Sequence, residues 1–438
     1  MELHSIKNFN ELATTENRKI ALEIIEAGMD AINTEKVIKS SVILKSDVLS
    51  IGDKDFDLSK YKNIKVIGFG KSSPDAALVL EDVLGSKITK GAVVGLKKVP
   101  CRYIETFIGT HPRPSRENIE AGNKIFELLD GSTAQDLIIV LVSGGGSALL
   151  CYGEGECTEG AKLYDNFLSL GKTISEMNTV RKHLSLFKGG GLAKIAYPAT
   201  VIGLIFSDVP GGDFASVASG PTYKDETSIK DAQKIIIENN LGNFDLIETP
   251  KEDKYFENVF NFVVVSNEIA INKMVEKAKE FNFETNIVST ELYDETNIAL
   301  DKIFQTMPQR RSSGNSPKTV FGVGSVVLAA GEPSITVTKS GGKGGRNLHM
   351  GLLSIEKNLI DDDSVFISFA SDGMDNSDAA GTVVDKNTVE KINKLGINVK
   401  DALENFDSYP VFEKSGDIIM TGPTGANVSD LMLLLKRK

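Results

Sequence analysis

The sequence predicts an α/β fold with two domains. A chain of 438 residues is long enough to bury more than one core. Short runs of consecutive apolar residues, such as 137–142 and 201–206, alternate with stretches of helical periodicity. Because these runs are continuous rather than alternating with polar residues, they indicate strands of a parallel sheet that is covered on both faces.

The first half of the chain repeats a pattern of strand, turn and helix. Apolar residues at helical spacing over 17–44 predict an opening helix and a connector. A strand at 65–68 then enters a glycine turn, and the amphipathic run 75–84 predicts the helix that follows. Further strands are predicted at 92–96, 137–142 and 201–206, and a further helix at 228–239.

The polar segment 242–257, which holds a proline and charges of both signs, is the predicted linker. It divides the chain into an N-terminal domain, residues 1–243, and a C-terminal domain, residues 258–438. The sequence leaves open whether the last residues pack on the N-terminal domain. In the second domain the predicted strands are 261–265, 284–288, 319–323, 334–338 and 365–370, the predicted helix is 268–282, and the polar stretch 309–318 is predicted as an exposed loop.

Composition and charge exclude several classes of function. The formal net charge of −11 argues against general nucleic-acid binding. The N-terminus has no apolar signal segment, and the longest apolar stretch is shorter than the roughly 18 residues that a membrane-spanning helix needs. The three cysteines, Cys101, Cys151 and Cys157, lack the spacing of zinc or redox motifs and fit the reducing cytoplasm, where we expect the protein.

The glycine-rich segment 340–346, SGGKGGR, has the composition of a phosphate-binding loop. Glycines expose backbone N–H groups and permit positive φ angles, and Lys343 and Arg346 add fixed positive charge. The glycines are Gly341, Gly342, Gly344 and Gly345. We therefore predict that this segment holds phosphate groups.

A second glycine-punctuated segment, SDGMDNSDAAG, follows the predicted strand at 365–370. It places Asp372, Asp375 and Asp378 at three-residue intervals. Carboxylates in such a loop suit a hard cation or a proton acceptor. A phosphate loop, an arginine and loop carboxylates within about forty residues are the components that phosphoryl transfer uses.

Two further glycine segments offer sites for an anion. The segment 142–150, VSGGGSALL, puts backbone N–H groups at a helix N-terminus after an apolar strand, where an anion is favoured, although a tight turn explains three glycines equally well. The segment 178–193, NTVRKHLSLFKGGGLA, carries Arg181, Lys182, His183 and Lys188. These cations either face a carboxylate or phosphate or form a solvated helical face.

Three isolated residues have open alternatives. Lys71 lies in a glycine turn that is not a P-loop, because Lys65 stands where that motif requires glycine; it either reaches a phosphate or is a surface lysine. Asp208 follows the strand at 201–206 and either ligates Mg²⁺ or caps the next helix. His111 is a ligand or base, or a loop histidine that bonds backbone carbonyls.

Six segments taken together resemble the glycerate 2-kinase family, whose C-terminal half is called the MOFRL domain. In order they are VSGGGSALL, NTVRKHLSLFKGGGLA, SDVPGGDFASVASGPT, GGKGGRNLH, SDGMDNSDAAGTVVD and TGPTGANVSDL. The resemblance implies ATP-dependent phosphorylation of D-glycerate to 2-phosphoglycerate. It also implies an N-terminal Rossmann-like parallel sheet, a C-terminal MOFRL-type mixed sheet and an active site in the interdomain cleft.

The resemblance also assigns site residues. It places the catalytic lysine, arginine and aspartate of the family at Lys71, Arg346 and Asp372. It brings the cationic helix into a motif near the substrate, which favours a functional role there. The chain departs from the family pattern at Leu348 and His349, where Gln and Glu are common, and at residues 330–333, which read Ala-Gly-Glu-Pro.

A division of roles follows from these residues. We expect the acid substrate to be held by the loop amides together with Arg181 or Lys188; the loop residues are Ser143, Gly144, Gly145, Gly146 and Ser147. Lys71 and Arg346 would neutralise the phosphoryl group, and Lys343 with its glycines would cradle the phosphates of ATP. Asp372 would orient or deprotonate the attacking hydroxyl. The candidates for Mg²⁺ binding are Asp208, Asp375 and Asp378.

Rival functions stay open at this point. The partial dinucleotide motif at Gly68 and Gly70 leaves room for an NAD(P)H-dependent hydroxypyruvate reductase. A sensor that binds a sugar acid or nucleotide without turnover is a second rival, which the density of charged loop residues disfavours. The sequence does not separate glycerate from a larger sugar acid, and it leaves a homodimer open.

Overall fold

The computed structural model describes residues 4–170, 174–308, 324–338 and 341–437. These residues form two compact units. The parallel-sheet unit contains Thr34–Val209 and Asp213–Val265, and the mixed-sheet unit contains Met1–Asn33, Pro210–Gly212 and Ser266–Lys438. The predicted loop 309–318 and the predicted strand 319–323 lie outside the described residues.

Helices and strands alternate along most of the chain. In chain order the helices are α1 (Phe9–Leu12), α2 (Glu16–Ile32), α3 (Thr34–Ser41), α4 (Ser73–Leu84), α5 (Arg116–Leu129), α6 (Gly146–Leu149), α7 (Gly153–Leu170), α8 (Ile174–Lys182), α9 (Gly191–Ala196), α10 (Ile229–Glu238), α11 (Asn267–Glu280), α12 (Thr296–Thr306), α13 (Arg346–Glu356), α14 (Lys386–Lys394), α15 (Val399–Glu404) and α16 (Tyr409–Ser415). The strands are β1 (Val42–Lys45), β2 (Val48–Ile51), β3 (Lys54–Asp57), β4 (Asn63–Phe69), β5 (Lys90–Gly95), β6 (Ile104–Ile108), β7 (Asp136–Ser143), β8 (Thr200–Phe206), β9 (Val259–Val265), β10 (Glu284–Ile287), β11 (Ser325–Gly331), β12 (Ser364–Ala370), β13 (Gly381–Asp385), β14 (Ile418–Ile419) and β15 (Asp430–Lys436).

The parallel-sheet unit is built on a six-stranded sheet of order β6-β5-β4-β7-β8-β9. Every pairing in it is parallel. Strand β7 is buried along its whole length, as its continuous apolar sequence predicts. The chain leaves β4 towards β5 on one side and returns to β7 on the other, so the loops after β4 and β7 lie at a topological switch point, where open α/β sheets bind ligands.

The predicted linker and the strand after it lie in the parallel-sheet unit. Strand β9 pairs with β8 at the edge of the parallel sheet, whereas the sequence places the start of the second domain at that strand. Residue Thr249, in the middle of the polar segment 242–257, is buried and donates a hydrogen bond to Asp225 at 3.0 Å. The sequence alone does not distinguish polar side chains that form hydrogen bonds inside a domain from those of a solvated linker.

The mixed-sheet unit has a six-stranded sheet of order β10-β11-β15-β12-β13-β14. Strands β10 and β11 are parallel, and every other pair is antiparallel. Strand β15, at the end of the chain, lies between β11 and β12 and is buried from its first residue. The last residues thus complete the sheet of their own unit.

The N-terminal helix α2 belongs to the mixed-sheet unit. It packs on α11 so closely that a Cβ at Gly28 would lie 2.8 Å from Met274 Cγ. Arg18 is fully buried and donates at 2.8 Å to Asp385 and to Asp417. The predicted opening helix over 17–44 is in fact two helices and strand β1, because the chain passes from one unit to the other after Asn33.

Two other predictions differ from the structure. The alternating residues 334–338 were expected to form a strand, but Ser334 makes only an isolated bridge to Glu295. Alternation without a neighbouring strand to pair with does not form a sheet. Cys151 and Cys157 form a disulfide with a Cα–Cα distance of 5.6 Å, a pairing that their spacing did not suggest.

Among the described helices, the longest are α7, with 18 residues, and α2, with 17. In the part of the chain that the structure describes, none has the length and apolar content needed to cross a membrane.

Candidate active site

In the parallel-sheet unit, the turns after β4 and β7 are bonded to each other. The N–H of Lys71 donates to the carbonyl of Gly144 at 2.9 Å. Ser143 Oγ accepts the N–H of Ser72 at 3.1 Å and lies 3.0 Å from Ser73 Oγ. The buried Ser143 hydroxyl therefore fixes the turn that carries Lys71, and its side chain is occupied within the protein.

The loop after β7 brings three charged or polar side chains together. Gly145 has a φ of 81°, and a Cβ there would lie 3.2 Å from His111 Cδ2 and 3.3 Å from Lys71 Cγ. A Cβ at Gly144 would lie 2.0 Å from an oxygen of Asp208. Glycine is required at both positions because these side chains press directly on the loop backbone.

Two positively charged side chains lie around this loop. The pKa of Arg181 is lowered to about 10 because burial disfavours its charge, although Tyr164 raises it. Burial, and then the charges of Lys71 and Arg181, lower the pKa of His111 and keep its imidazole neutral. Among the described residues, neither Lys71 nor Arg181 has a carboxylate or hydrogen-bond partner for its side chain. Two unpaired cations beside an open glycine loop form a site for an anion.

The other cations of the segment 178–193 have partners. Lys188 is buried and donates to the carbonyl of Leu150 at 2.9 Å and to Glu156 at 2.7 Å. Lys182 pairs with Asp225 at 3.0 Å. His183 is buried, and its Nδ1 lies 3.0 Å from the carbonyl of Ile247. Of the four residues singled out in this segment, the structure therefore leaves Arg181 available to a ligand.

The end of the loop packs against a strained segment. Ser147 Oγ lies 2.8 Å from Ser219 Oγ. Ala218 and Ser219 both have positive φ, at 51° and 61°, and non-glycine residues adopt that conformation at a cost of about 1–3 kcal/mol. Such strain is concentrated at functional sites, and its place next to Ser147 agrees with a binding role for the loop.

In the mixed-sheet unit, a cavity of about 460 Å³ opens where three strands meet. Asp430, the first residue of β15, pairs in register with Gly331 of β11 and Ala370 of β12. Because β15 runs antiparallel to both neighbours, its start meets their ends. The register therefore brings Glu332, Asp372 and Asp430 into the lining of one cavity.

Arg346 enters this cavity from the first position of α13. Its Nε donates to Asp430, and its Nη2 lies 3.5 Å from Glu332 Oε1. Burial raises the pKa of Asp430 to about 7, although the charge of Arg346 lowers it. The guanidinium is thus held by two carboxylates while the side chain stays one-third exposed to the cavity.

Asp375 holds the start of α13 in place. Its carboxylate accepts the N–H groups of Gly345 at 3.2 Å, Asn347 at 3.1 Å and Leu348 at 2.8 Å. Burial raises its pKa in spite of these bonds. Both oxygens are therefore engaged in capping the helix that presents Arg346.

The glycine segment before α13 is anchored to the segment that precedes α16. A Cβ at Gly342 would lie 2.2 Å from the carbonyl oxygen of Phe406, and the N–H of Lys343 donates to Asp407 at 2.9 Å. The Lys343 ammonium pairs with Asp378 at 2.9 Å and lies 3.3 Å from the centre of the Tyr409 ring. Lys343 and Asp378 are thus partners of each other in this structure.

Two family models match the chain. One is described as a domain of unknown function, DUF4147, and covers residues 20–246; the MOFRL family model covers residues 325–430. A glycerate 2-kinase from Pyrococcus horikoshii is 33% identical over 95% of this chain and 97% of its own length. The chain belongs to the glycerate kinase family.

A solved structure and a differently named relative complete the comparison. The crystal structure of glycerate kinase from Thermotoga maritima matches with a TM-score of 0.82 at 29% identity, over 95% of this chain and 99% of that one. A protein from Agrobacterium vitis that carries the name hydroxypyruvate reductase is 34% identical over 84% of this chain and 86% of its own. The resemblance and the α/β fold class predicted from the sequence are confirmed.

The candidate metal ligands of this glycerate kinase family member belong to both units. Asp208 is in the parallel-sheet unit, whereas Asp375 and Asp378 are in the mixed-sheet unit, bonded to α13 and to Lys343. No group of three or more His, Cys, Asp or Glu side chains within the described residues has the arrangement of a metal site. A metal held mainly by protein carboxylates therefore does not fit the described residues.

Asp430 and His349 line the cavity but were not identified as site residues from the sequence. Asp430 is the first residue of an apolar strand. In the sequence, an acidic residue at that position simply marks the end of the strand. Only the register of β15 between β11 and β12 shows that it faces Arg346. For His349, the available signal was its departure from the glycerate kinase family pattern.

Proposed function

We propose that this protein transfers the γ-phosphoryl group of ATP to the C2 hydroxyl of D-glycerate, giving 2-phosphoglycerate and ADP. The observation that carries the proposal is the pair of cations, Lys71 and Arg181, which have no salt-bridge partner among the described residues and lie beside the loop after β7. Glycerate is a small anion that suits such a site. Relatives of this protein that are named glycerate 2-kinase match almost the whole chain.

The acid substrate binds, in this proposal, to the parallel-sheet unit. The guanidinium of Arg181 pairs with the substrate carboxylate because a planar fork matches two carboxylate oxygens. The N–H groups of Gly145, Gly146 and Ser147 have no acceptor among the described residues and add donors to the same anion. His111, kept neutral by burial and its cationic neighbours, is placed to bond a substrate hydroxyl.

The nucleotide binds, in this proposal, to the mixed-sheet unit. Arg346 lies in a cavity of about 460 Å³, within the range of small-ligand sites. In the glycine segment, the N–H groups of Lys343 and Gly345 donate to Asp407 and Asp375, so the donors left for a phosphate among the described residues are the N–H groups of Gly341, Gly342 and Gly344. Lys343 reaches the phosphates by exchanging its exposed pairing with Asp378, which is worth little in water.

The chemical step needs positioning and charge neutralisation. Asp372 lines the cavity, and its Oδ1 accepts the N–H of Met374 at 3.0 Å, which fixes the carboxylate that receives the proton of the attacking hydroxyl. Lys71 and Arg346 offset the charge of the transferring phosphoryl group.

Mg²⁺ fits this proposal as an ion carried by the nucleotide. Mg²⁺ usually keeps several waters and binds one or two carboxylates plus substrate phosphates, whose negative charge it would neutralise here. Asp208 is the carboxylate we assign to it, on the ground of its position. Asp208 lies against Gly144 in the loop beside Lys71.

The test is ADP release by the purified protein with Mg-ATP and D-glycerate. Lys71→Ala and Arg346→Ala are each expected to lower kcat by about a hundredfold, which corresponds to about 2.7 kcal/mol of transition-state stabilisation. Lys97→Ala is the matched control, because Lys97 is an exposed lysine paired with Asp75. Near wild-type turnover of a folded Lys71 or Arg346 variant would remove that residue from the mechanism.

The rival function is reduction of hydroxypyruvate by a nicotinamide dinucleotide. A dinucleotide site would need free N–H groups in the turn after β4, but those of Gly70, Lys71 and Ser72 donate to Val94, Gly144 and Ser143. We therefore expect no NADH consumption with hydroxypyruvate. Consumption of NADH without ADP release would replace the kinase assignment by a reductase.

A further inference from the structure

His349 contributes an imidazole to a cavity wall. It lies on α13, is 8% exposed, and lines the cavity of the mixed-sheet unit. No side chain or backbone group among the described residues bonds either ring nitrogen. Since neither ring nitrogen is among the fully buried polar atoms that lack a partner, both remain accessible from the cavity, where a ligand would supply the hydrogen bonds that the protein does not.

The imidazole is neutral and held in a defined orientation. Burial lowers the pKa of His349 to about 4, so one ring nitrogen is a donor and the other an acceptor. The ring stacks on Phe406, with ring centres 5.9 Å apart and planes inclined by 20°. Phe406 has a φ of 53°, a strained conformation for a non-glycine residue, as do Asn376 and Ser429 in the same cavity.

The cavity has a charged part and an apolar part. Arg346 and its carboxylates form the first, while Ile335, Val337 and Met374 contribute apolar surface to the second. Arg346 and His349 are three residues apart on α13, which places them on one helical face about 5–6 Å apart at Cβ. An amphipathic ligand with an anionic group next to a ring system matches both parts.

We propose that His349 and Phe406 bind the nucleoside of the phosphoryl donor, with the imidazole hydrogen-bonded to the edge of the base. This inference rests on the proposed kinase function. A neutral imidazole beside an aromatic ring suits a base, which offers donors, acceptors and a flat face. A phosphate at this position would favour a protonated histidine, which the burial of the ring opposes.

The experiment compares a nucleotide with a phosphate chain that lacks a nucleoside. Binding of ADP and of inorganic tripolyphosphate is measured by calorimetry without glycerate, for wild type, His349→Ala and His349→Gln. We expect His349→Ala to weaken ADP at least tenfold and to change tripolyphosphate less than twofold. His349→Gln retains a donor and an acceptor and is expected to recover part of the ADP affinity. Glu356→Ala, an exposed change at the end of α13, is the matched control.

Two outcomes would overturn the inference: equal loss of ADP and tripolyphosphate affinity, or unchanged ADP affinity in His349→Ala. If that variant does not fold, the inference is tested by NMR on the wild-type protein. Adenosine should shift the ring nitrogen resonances of His349, and tripolyphosphate should not. Absence of that adenosine shift would also contradict the inference. ADP binding with no phosphoryl transfer to glycerate would contradict the proposed function and leave this assignment standing.

Discussion

The substitution Asp430→Asn separates the functional role of a buried carboxylate from its effect on stability. Asp430 is 2% exposed and accepts a hydrogen bond from Arg346 Nε. Asparagine keeps the shape and one acceptor but removes the charge. We expect the variant to lose turnover by tenfold or more, because Arg346 is no longer held in a fixed orientation, and to become relatively more stable as the pH rises.

The magnitude follows from proton linkage. Burial raises the pKa of Asp430 from its ordinary value of 3.8 to about 7. A raised pKa stabilises the folded state at low pH, and this contribution is lost as the pH rises through the folded-state pKa. Between pH 5 and pH 7 the folded state keeps the proton that the unfolded state has released. At 1.36 kcal/mol per unit, the wild type should lose about 2.7 kcal/mol that Asp430→Asn does not lose.

The assay is urea unfolding of both proteins at pH 5 and pH 8.5, with ADP release measured on the same preparations. Asp301→Asn is the control, because it removes an exposed carboxylate that pairs with Lys357. The difference in unfolding free energy between variant and wild type should change by about 2–3 kcal/mol in favour of the variant at high pH. A difference independent of pH, or unchanged turnover, would refute the reasoning.

Three further predictions concern the loop after β7 and helix α13. Arg181→Ala should raise the KM for glycerate at least tenfold, whereas Lys182→Ala, which breaks the pair with Asp225, should lower stability and leave KM within twofold in steady-state assays. Gly145→Ala should lower the unfolding free energy in urea by about 1–2 kcal/mol, because its φ is 81°. Asp375→Ala should cost about 1–2 kcal/mol in the same measurement by uncapping α13; no loss would show that the cap is dispensable.

The buried strands could be predicted from the sequence because their apolar runs are continuous. The run 137–142 corresponds to β7, Asp136–Ser143, and 201–206 corresponds to β8, Thr200–Phe206. A strand covered on both faces needs apolar residues at every position, so local composition is enough to find it. The glycine turns after these strands could also be predicted, because clusters of glycine are a local signal in the sequence.

Features that depend on tertiary pairing could not be predicted. The local sequence pattern of strand β9 fits either the first strand of a second sheet or the last strand of the first sheet. Only its pairing with β8 shows that it belongs to the first sheet. Helix α2 is amphipathic in either unit, and its place follows from contacts such as that of Gly28 with Met274. The disulfide of Cys151 with Cys157 likewise depends on how the chain turns between α6 and α7.

The same distinction applies to the candidate site. Lys71, Arg346 and Asp372 were identified from motifs, and their catalytic roles stay predictions. Charge pattern alone did not show that Lys188 is paired with Glu156, while Arg181 has no carboxylate partner within the described part of the chain. Which cations a fold neutralises depends on acids distant in sequence, and this is the information that the structure adds.

The most direct test of the account is the identity of the product. The purified protein is incubated with Mg-ATP and D-glycerate, and ³¹P NMR follows the phosphorus resonances. We expect 2-phosphoglycerate and ADP in equal amounts, with the formation of both slowed by about a hundredfold in Lys71→Ala. Exclusive formation of 3-phosphoglycerate would contradict the assigned C2 acceptor, and no phosphorylated product from folded protein would contradict the assignment of glycerate as the substrate.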